Sequence, residues 1–150
     1  MMINKKMLPE LNYIVAYMSD NYTIKTIATQ ETLPINSIKY KVGDKLTIAN
    51  NGIVIGKGVS EILVSAQVYW YTSVSNSEGI LYIAKNGQNY TVSNRKFTDN
   101  YEHQTTPTII IPVQEGDVIT LKVRNDSNKS VISYYDSGTF LNVIAIDNRY

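Results

Sequence analysis

A single histidine, His103, stands in this chain of 150 residues, and there is no cysteine at all. A nucleophile–base pair built on imidazole would therefore have to use His103. Its surroundings, "NYEHQT", supply no serine nucleophile, and no Gly-x-Ser-x-Gly elbow occurs anywhere in the chain. Three aspartates, Asp117, Asp126 and Asp136, fall in separate turns or strands. A carboxylate pair for glycoside hydrolysis has to stand about 5–9.5 Å apart, a spacing that only a fold can create. The pairs Gly116-Asp117 and Asn125-Asp126 are also ordinary turn chemistry. No Asp-x-Asp, His-rich or Cys motif suggests a metal, and nothing in the sequence asks for a cofactor. The expectation is a non-enzymatic protein.

Aromatic chemistry is better represented. Twelve tyrosines accompany two phenylalanines and one tryptophan, and tyrosine joins a broad apolar face to a polar tip, as wet interfaces and sugar stacking require. In "SYYDSG", Tyr134 and Tyr135 lie beside Asp136, an aromatic plane next to a carboxylate. In an alternating strand one of two adjacent tyrosines belongs to the core, so only one of this pair faces a ligand. The candidate ligand-contacting residues are Tyr101, His103, Tyr134, Tyr135 and Asp136. The alternative for Tyr101 and His103 is a solvated loop tip.

Charge narrows the partners. Fourteen basic and thirteen acidic residues leave a net charge of +1, and with no basic run there is no electrostatic footprint for nucleic acid or an anionic membrane. No run of about 18 apolar residues suggests a membrane-spanning helix. Pro9, Glu10 and Asn12 interrupt the apolar part of "MMINKKMLPELNYIVAYM", which argues against a secretory signal. Four Asn-x-Ser/Thr triplets, at Asn21, Asn89, Asn125 and Asn128, are about as many as so Asn- and Thr-rich a chain contains by chance. Asn, Ile, Lys and Tyr together make up 57 of the 150 residues. Their codons are A/T-rich, which points to an A/T-rich genome. The length suits a single domain, here expected over residues 13–150 behind a tail or connection at 1–12.

The elements that must position these residues are strands. Segments rich in Val, Ile, Thr and Tyr recur between Gly, Asn, Asp and Pro. Strands are expected near Asn12–Ser19, Ser37–Tyr40, Lys45–Ile48, Ile53–Ile55, Glu61–Tyr71, Gly79–Lys85, Asn89–Ser93, Thr108–Val113, Val118–Arg124, Val131–Tyr135 and Phe140–Ile146. Asn51-Gly52 and Asn86-Gly87 are type I′ turn signals, because both residue types tolerate positive φ. The polar stretch from Ser93 to Thr106 reads as a surface loop. About ten short strands with no helix predict an all-β, antiparallel two-sheet sandwich or jelly roll.

One strand is unusual. In "EILVSAQVYW" the set Ile62, Val64, Ala66, Val68 and Trp70 is wholly apolar, as expected of a core face. The other set is Leu63, Ser65, Gln67, Tyr69 and then Tyr71, neither core nor ordinary charged surface.

Three segments in order resemble the tumour-necrosis-factor/C1q-like jelly roll. "NNGIVIGKGVSEILVSAQVYW" is similar to that family's central strand and its approach, with the pair Gln67-Val68. "VQEGDVITLKV" resembles its strand led by Gly-Asp, here Gly116-Asp117. "SGTFLNVIAI" resembles its terminal strand, although Asn142 stands where small residues are commoner. The resemblance implies a tight homotrimer about a three-fold axis, with Ser65, Gln67, Tyr69, Phe140, Asn142 and Ile144 at the interface. Leu141, Val143 and Ala145 are then left for the core. A lone sandwich would leave Phe140 and Ile144 in water, and burying a side chain of that size is worth roughly 1.5–3 kcal/mol. The alternative cover for that face is the N-terminal segment of the same chain. Some C1q-like domains hold a loop calcium, which the aspartates leave open.

These readings together describe a homotrimeric recognition head. A phage tail-fibre or baseplate domain that attaches to host cell-surface saccharide is the most concrete form of it, located on a virion or a bacterial surface. The rival readings are a structural trimer of a virion or spore surface that binds nothing small, and a carbohydrate-active enzyme.

Overall fold

A computed structural model of the chain describes residues 10–133 and 138–146. Among the described residues there are strands and no helix, arranged as two antiparallel sheets facing one another. The long strand β7 (Glu61–Thr72) organises the larger sheet. Along one edge it pairs first with β14 (Phe140–Ile146), through Phe140 opposite Gln67 and Ile146 opposite Glu61. The same edge then pairs with β13 (Ser130–Ser133). Along its other edge run β11 (Ile109–Pro112) and β10 (Tyr101–Thr105). Beyond β14 come β1 (Asn12–Tyr17) and the edge strand β4 (Ser37–Val42), and the short β2 (Tyr22–Thr23) flanks β13.

The second sheet has the order β5 (Leu46–Ala49), β6 (Gly52–Ile55), β12 (Val118–Asn125), β8 (Glu78–Lys85), β9 (Gln88–Lys96), with β3 (Glu31–Thr32) also on β12. Alternation set the inner faces as expected. Ile62, Val64, Ala66, Val68 and Trp70 are buried, and so are Leu141 and Val143, against Leu81, Ile83, Ile119, Leu121 and Val123 of the opposite sheet. Ala145 packs against this core from its margin.

Two local expectations need correction. The turn between β5 and β6 has positive φ at Asn50 and Asn51, so it precedes the Asn51-Gly52 pair by one residue. Gly52 opens β6 instead, where a Cβ would stand 2.3 Å from the Ile119 carbonyl oxygen. Its glycine serves close backbone approach. At Asn86-Gly87 both residues do have positive φ, and Asn86 is further held by its amide, which donates to Asp117 and accepts from the Val118 N–H.

The second correction concerns the stretch from Ser93 to Thr106, which is not a surface loop. It finishes β9, buries Phe97 and then forms β10. In "YEHQT" the inward residues are Glu102 and Gln104, so the apolar alternation that marks a half-buried strand is missing. The polar inward residues are satisfied internally. Gln104 accepts the Trp70 indole N–H at 2.9 Å and donates to the carbonyls of Ser93 at 2.7 Å and Gly79 at 3.1 Å. One side chain thereby ties the larger sheet to two strands of the smaller one. Phe97 packs on Trp70, ring centroids 5.2 Å apart, and lies where a Cβ on Gly79 would be.

Leaving buried polar groups unpaired costs about 1–3 kcal/mol. Gln104→Leu strips partners from Trp70, Gly79 and Ser93 together. Urea unfolding is expected to give a lower midpoint by at least that cost, with an unchanged slope.

Candidate functional site

The outward face of the larger sheet can be read row by row from its pairing. Ile110, Leu63, Ile144, Tyr13 and Val42 face one another across five strands. The next row is Ser65, Asn142, Val15 and Tyr40, and the third is Thr105, Gln67, Phe140, Tyr17 and Ser37. No residue in these rows carries a charge. Several are large, apolar and in water: Ile110 and Tyr40 are each 59 % exposed, Ile144 43 % and Val42 40 %.

All six residues expected at a subunit interface, Ser65, Gln67, Tyr69, Phe140, Asn142 and Ile144, lie on this face, and Phe140 and Asn142 are half-buried there. Leu63 was read onto the outer face without being counted at the interface, and sequence reasoning missed Tyr13, Val15, Tyr17, Tyr40, Val42 and Ile110. The signal was present in "NYIVAYM", where Tyr13, Val15 and Tyr17 alternate with the buried Ile14, Ala16 and Met18.

A depression of about 310 Å³ lies over the first two rows, lined by Tyr13, Val15, Leu63, Ser65, Asn142 and Ile144 among others. At its floor the side-chain oxygen of Asn142 is closed off from solvent and has no hydrogen-bond partner. Such an orphan costs about 1–3 kcal/mol in an otherwise satisfied fold. Gln67, one row along, donates to the Gly138 carbonyl at 3.0 Å.

Farther along β7 the face turns aromatic. Tyr69 is opposite His103 and Tyr71 is opposite Tyr101. The His103 ring stacks on Tyr69 with centroids 4.4 Å apart and planes at 29°. Tyr101, 59 % exposed, stands 5.9 Å from Tyr69 and 5.0 Å from Tyr71. The four rings form a terrace in which Tyr101 and His103 are open and Tyr69 and Tyr71 half-buried. The expected ligand residues Tyr101 and His103 are thus brought together, and against Tyr69 of the expected interface. Tyr134, Tyr135 and Asp136 lie outside the described residues.

Glu102, between Tyr101 and His103, points the other way, into the sandwich. One oxygen accepts from Arg95; the other accepts from the Thr98 amide and hydroxyl and the Asp99 amide at 3.2–3.4 Å. Burial pushes this carboxyl up, but the Thr98 hydrogen bonds, the Arg95 charge and the Asp99 amide outweigh it and hold it below its usual value of 4.5. Glu102 is therefore a fastener of the 97–100 turn and not a base for His103. Asp117 has a similar duty, accepting from Asn86 and from the Gln114 amide, and Asp126 accepts from the Glu78 amide. Among the described residues no three acidic, histidine or cysteine side chains come together as a metal site.

Between the sheets, Tyr22 on β2 of the larger donates to Glu31 on β3 of the smaller at 2.8 Å. Its hydroxyl is pushed up to about 12, first by burial and then by that carboxylate.

No protein-family model and no curated protein matches the chain. Solved structures do. A crystal structure of murine APRIL at pH 5.0 superimposes with a TM-score of 0.69 at 16 % identity, covering 91 % of this chain and 100 % of that one. Murine APRIL at pH 8.0 gives 0.70 at 16 % over the same shares. The Eiger TNF structure from S. frugiperda gives 0.63 at 11 %, covering 95 % and 96 %. The fold is therefore a jelly roll similar to those of tumour-necrosis-factor-like proteins.

A carboxyl held low in the folded state stabilises the fold above its unfolded value and loses that contribution as pH falls through the folded one. Glu102→Gln is expected to melt lower than the natural chain near neutral pH. The gap should close on acidification below about pH 4.5, the carboxyl's usual value. Thermal melts of both proteins across that range measure it.

Proposed function

We propose that this chain is a non-enzymatic binding head that works as a homotrimer, packed through the outward face of the larger sheet. The uncharged, largely apolar grid across five strands carries this reading. Five strands about 4.8 Å apart, and about five residues of 3.3 Å rise, give a flat footprint of roughly 400 Å². A standard stable interface takes roughly 800 Å² per partner, so side-chain relief supplies the remainder. Three copies around an axis cover Leu63, Ile144, Val42 and Ile110 together, at roughly 1.5–3 kcal/mol for each such side chain buried.

The terrace of Tyr69, Tyr71, Tyr101 and His103 supports a saccharide as the ligand. Stacked rings with two exposed members, Tyr101 and His103, offer a plane for a sugar's apolar face, and hydroxyl and imidazole groups offer hydrogen bonds. Each site alone is shallow. Three on one trimer gain by effective concentration on a repeating polymer. A phage tail or baseplate head that attaches to bacterial cell-surface saccharide fits this arrangement, the A/T-rich composition and the lack of cysteine. That last step rests on analogy between folds. The orientation of Glu102 away from His103 argues against the enzyme reading. The structural-cap reading draws on Tyr69, which belongs to both the expected interface and the terrace.

Light scattering is expected to report three chains per particle for the natural protein and one for Leu63→Asp, which places a charge in the apolar row. A single-chain mass for the natural protein sinks the trimer. On an array of bacterial surface glycans, Tyr101→Ala should lose at least about fivefold in binding, since base- and ring-stacking losses run to about 1–3 kcal/mol. No glycan bound by either protein would favour the cap, and turnover of a glycan would favour the enzyme.

A further inference from the structure

We infer that the saccharide lies across the strands, and that the site takes an interior stretch of an uncharged linear chain. The inference deepens the saccharide reading and rests on it. Its basis is a row of side chains that the aromatic terrace only begins. Tyr101 is opposite Tyr71, Tyr71 is opposite Val131, and Val131 is opposite Thr23. Paired residues share a face, and the buried neighbours Trp70 and Ile132 fix which face is inside. The four side chains therefore stand in line on the outward face, across β10, β7, β13 and β2.

The row's length and openness bound the ligand. Three strand spacings of about 4.8 Å make it about 14 Å long, room for about three sugar rings end to end. Tyr101 and Thr23 at its ends are exposed, and Tyr71 and Val131 between them are half-buried. β10 and β2 are the outermost strands of the sheet here. No wall closes either end, so a chain can run out over both edges, which suits an interior stretch and not a chain terminus.

The row's chemistry chooses the class. Tyr101 and Tyr71, flanked by the rings of His103 and Tyr69, offer aromatic faces. Val131 continues them with methyl groups, and Thr23 adds a hydroxyl that can donate and accept. A sugar chain presents the matching surface, apolar ring faces with hydroxyls along their rims. Among the described residues of this row and of the Tyr69–His103 row beside it there is no carboxylate, lysine or arginine. Nothing there offsets the cost of desolvating an ionised sugar. A second copy of the chain is the rival occupant, but Tyr71 lies about 26 Å along β7 from Leu63, far from the rows that copies would share.

Two oligosaccharide ladders test it by titration calorimetry, each running from the single sugar to the hexamer. One is uncharged, β-linked N-acetylglucosamine; the other is anionic, β-linked mannuronate. On the uncharged ladder the dissociation constant is expected to fall about tenfold from single sugar to trimer, the worth of one good contact, and then to level off. Reducing the hexamer's terminal sugar to its alditol should change nothing, as an interior site requires. Val131→Asp in mid-row and Thr23→Ala at the exposed end should each remove most of the gain from length, with circular dichroism to verify folding. An uncharged ladder bound without regard to length, or a preference for the anionic one, overturns the inference and leaves a saccharide ligand standing. If Val131→Asp breaks up the assembly, the row is an interface between copies and the inference falls. A protein that binds array glycans but neither ladder loses this inference alone. One that binds no glycan at all loses the saccharide reading with it.

Discussion

The fold depends on β7 being hydrogen-bonded along both edges while carrying few charges on either face. Its two edges are taken by β14 with β13 and by β11 with β10. Such a strand cannot slip by one residue without exchanging its faces. A slip would send Ser65 and Gln67 into the core and Trp70 into water. The register is therefore fixed by the inner face, and that fixed register writes the outer face as a consequence. Leu63 lines up with Ile144, Tyr13 and Val42 because Ile62, Val64 and Leu141 have to be inside.

The same constraint explains a polar tether across the core. Trp70 ends the apolar inner face with an indole N–H that needs an acceptor, and β10 supplies Gln104 at the right row. Because Gln104 also reaches Gly79 and Ser93, the hydrogen bond that satisfies the tryptophan also orients the second sheet. Phe97 then needs the space at Gly79 that a methyl group would fill.

How legible this was depended on whether a residue's partner was apolar. Alternation read the inner faces of β7 and β14 residue by residue, and the parity of Phe140, Asn142 and Ile144 followed. It failed at β10, since Glu102 and Gln104 face inward as polar residues, satisfied by Arg95 on the neighbouring β9 and by Trp70 far back in the chain. It also failed at β2 and β3, two residues each, too short for any period. The candidate site was half visible. Tyr101 and His103 were singled out for their chemistry, but their stacking on Tyr69 and Tyr71 arises from strand pairing. No local pattern reports that. The apolar outer faces of β1 and β4 were written in the sequence, yet only the order of strands reveals that they continue the row begun by Leu63.

Tyr69 is claimed twice, by an interface and by a ligand terrace, but length along the strand separates the claims. Six residues of extended chain lie between Leu63 and Tyr69, roughly 20 Å at a rise of 3.3 Å each. The uncharged rows cluster about the Leu63 end, where β14, β1 and β4 flank β7 and the orphan amide sits. At the Tyr69 end β14 has given way to β13, the row narrows to the positions of Ser133, Tyr69 and His103, and the rings of Tyr101 and His103 are open. One strand can thus hold copies together at its start and present aromatic rings at its finish. A three-fold axis through the first region would carry three terraces at one end of the particle, spaced by the width of a subunit. Such spacing is what a weak site needs if a polymeric ligand is to be gripped at several points.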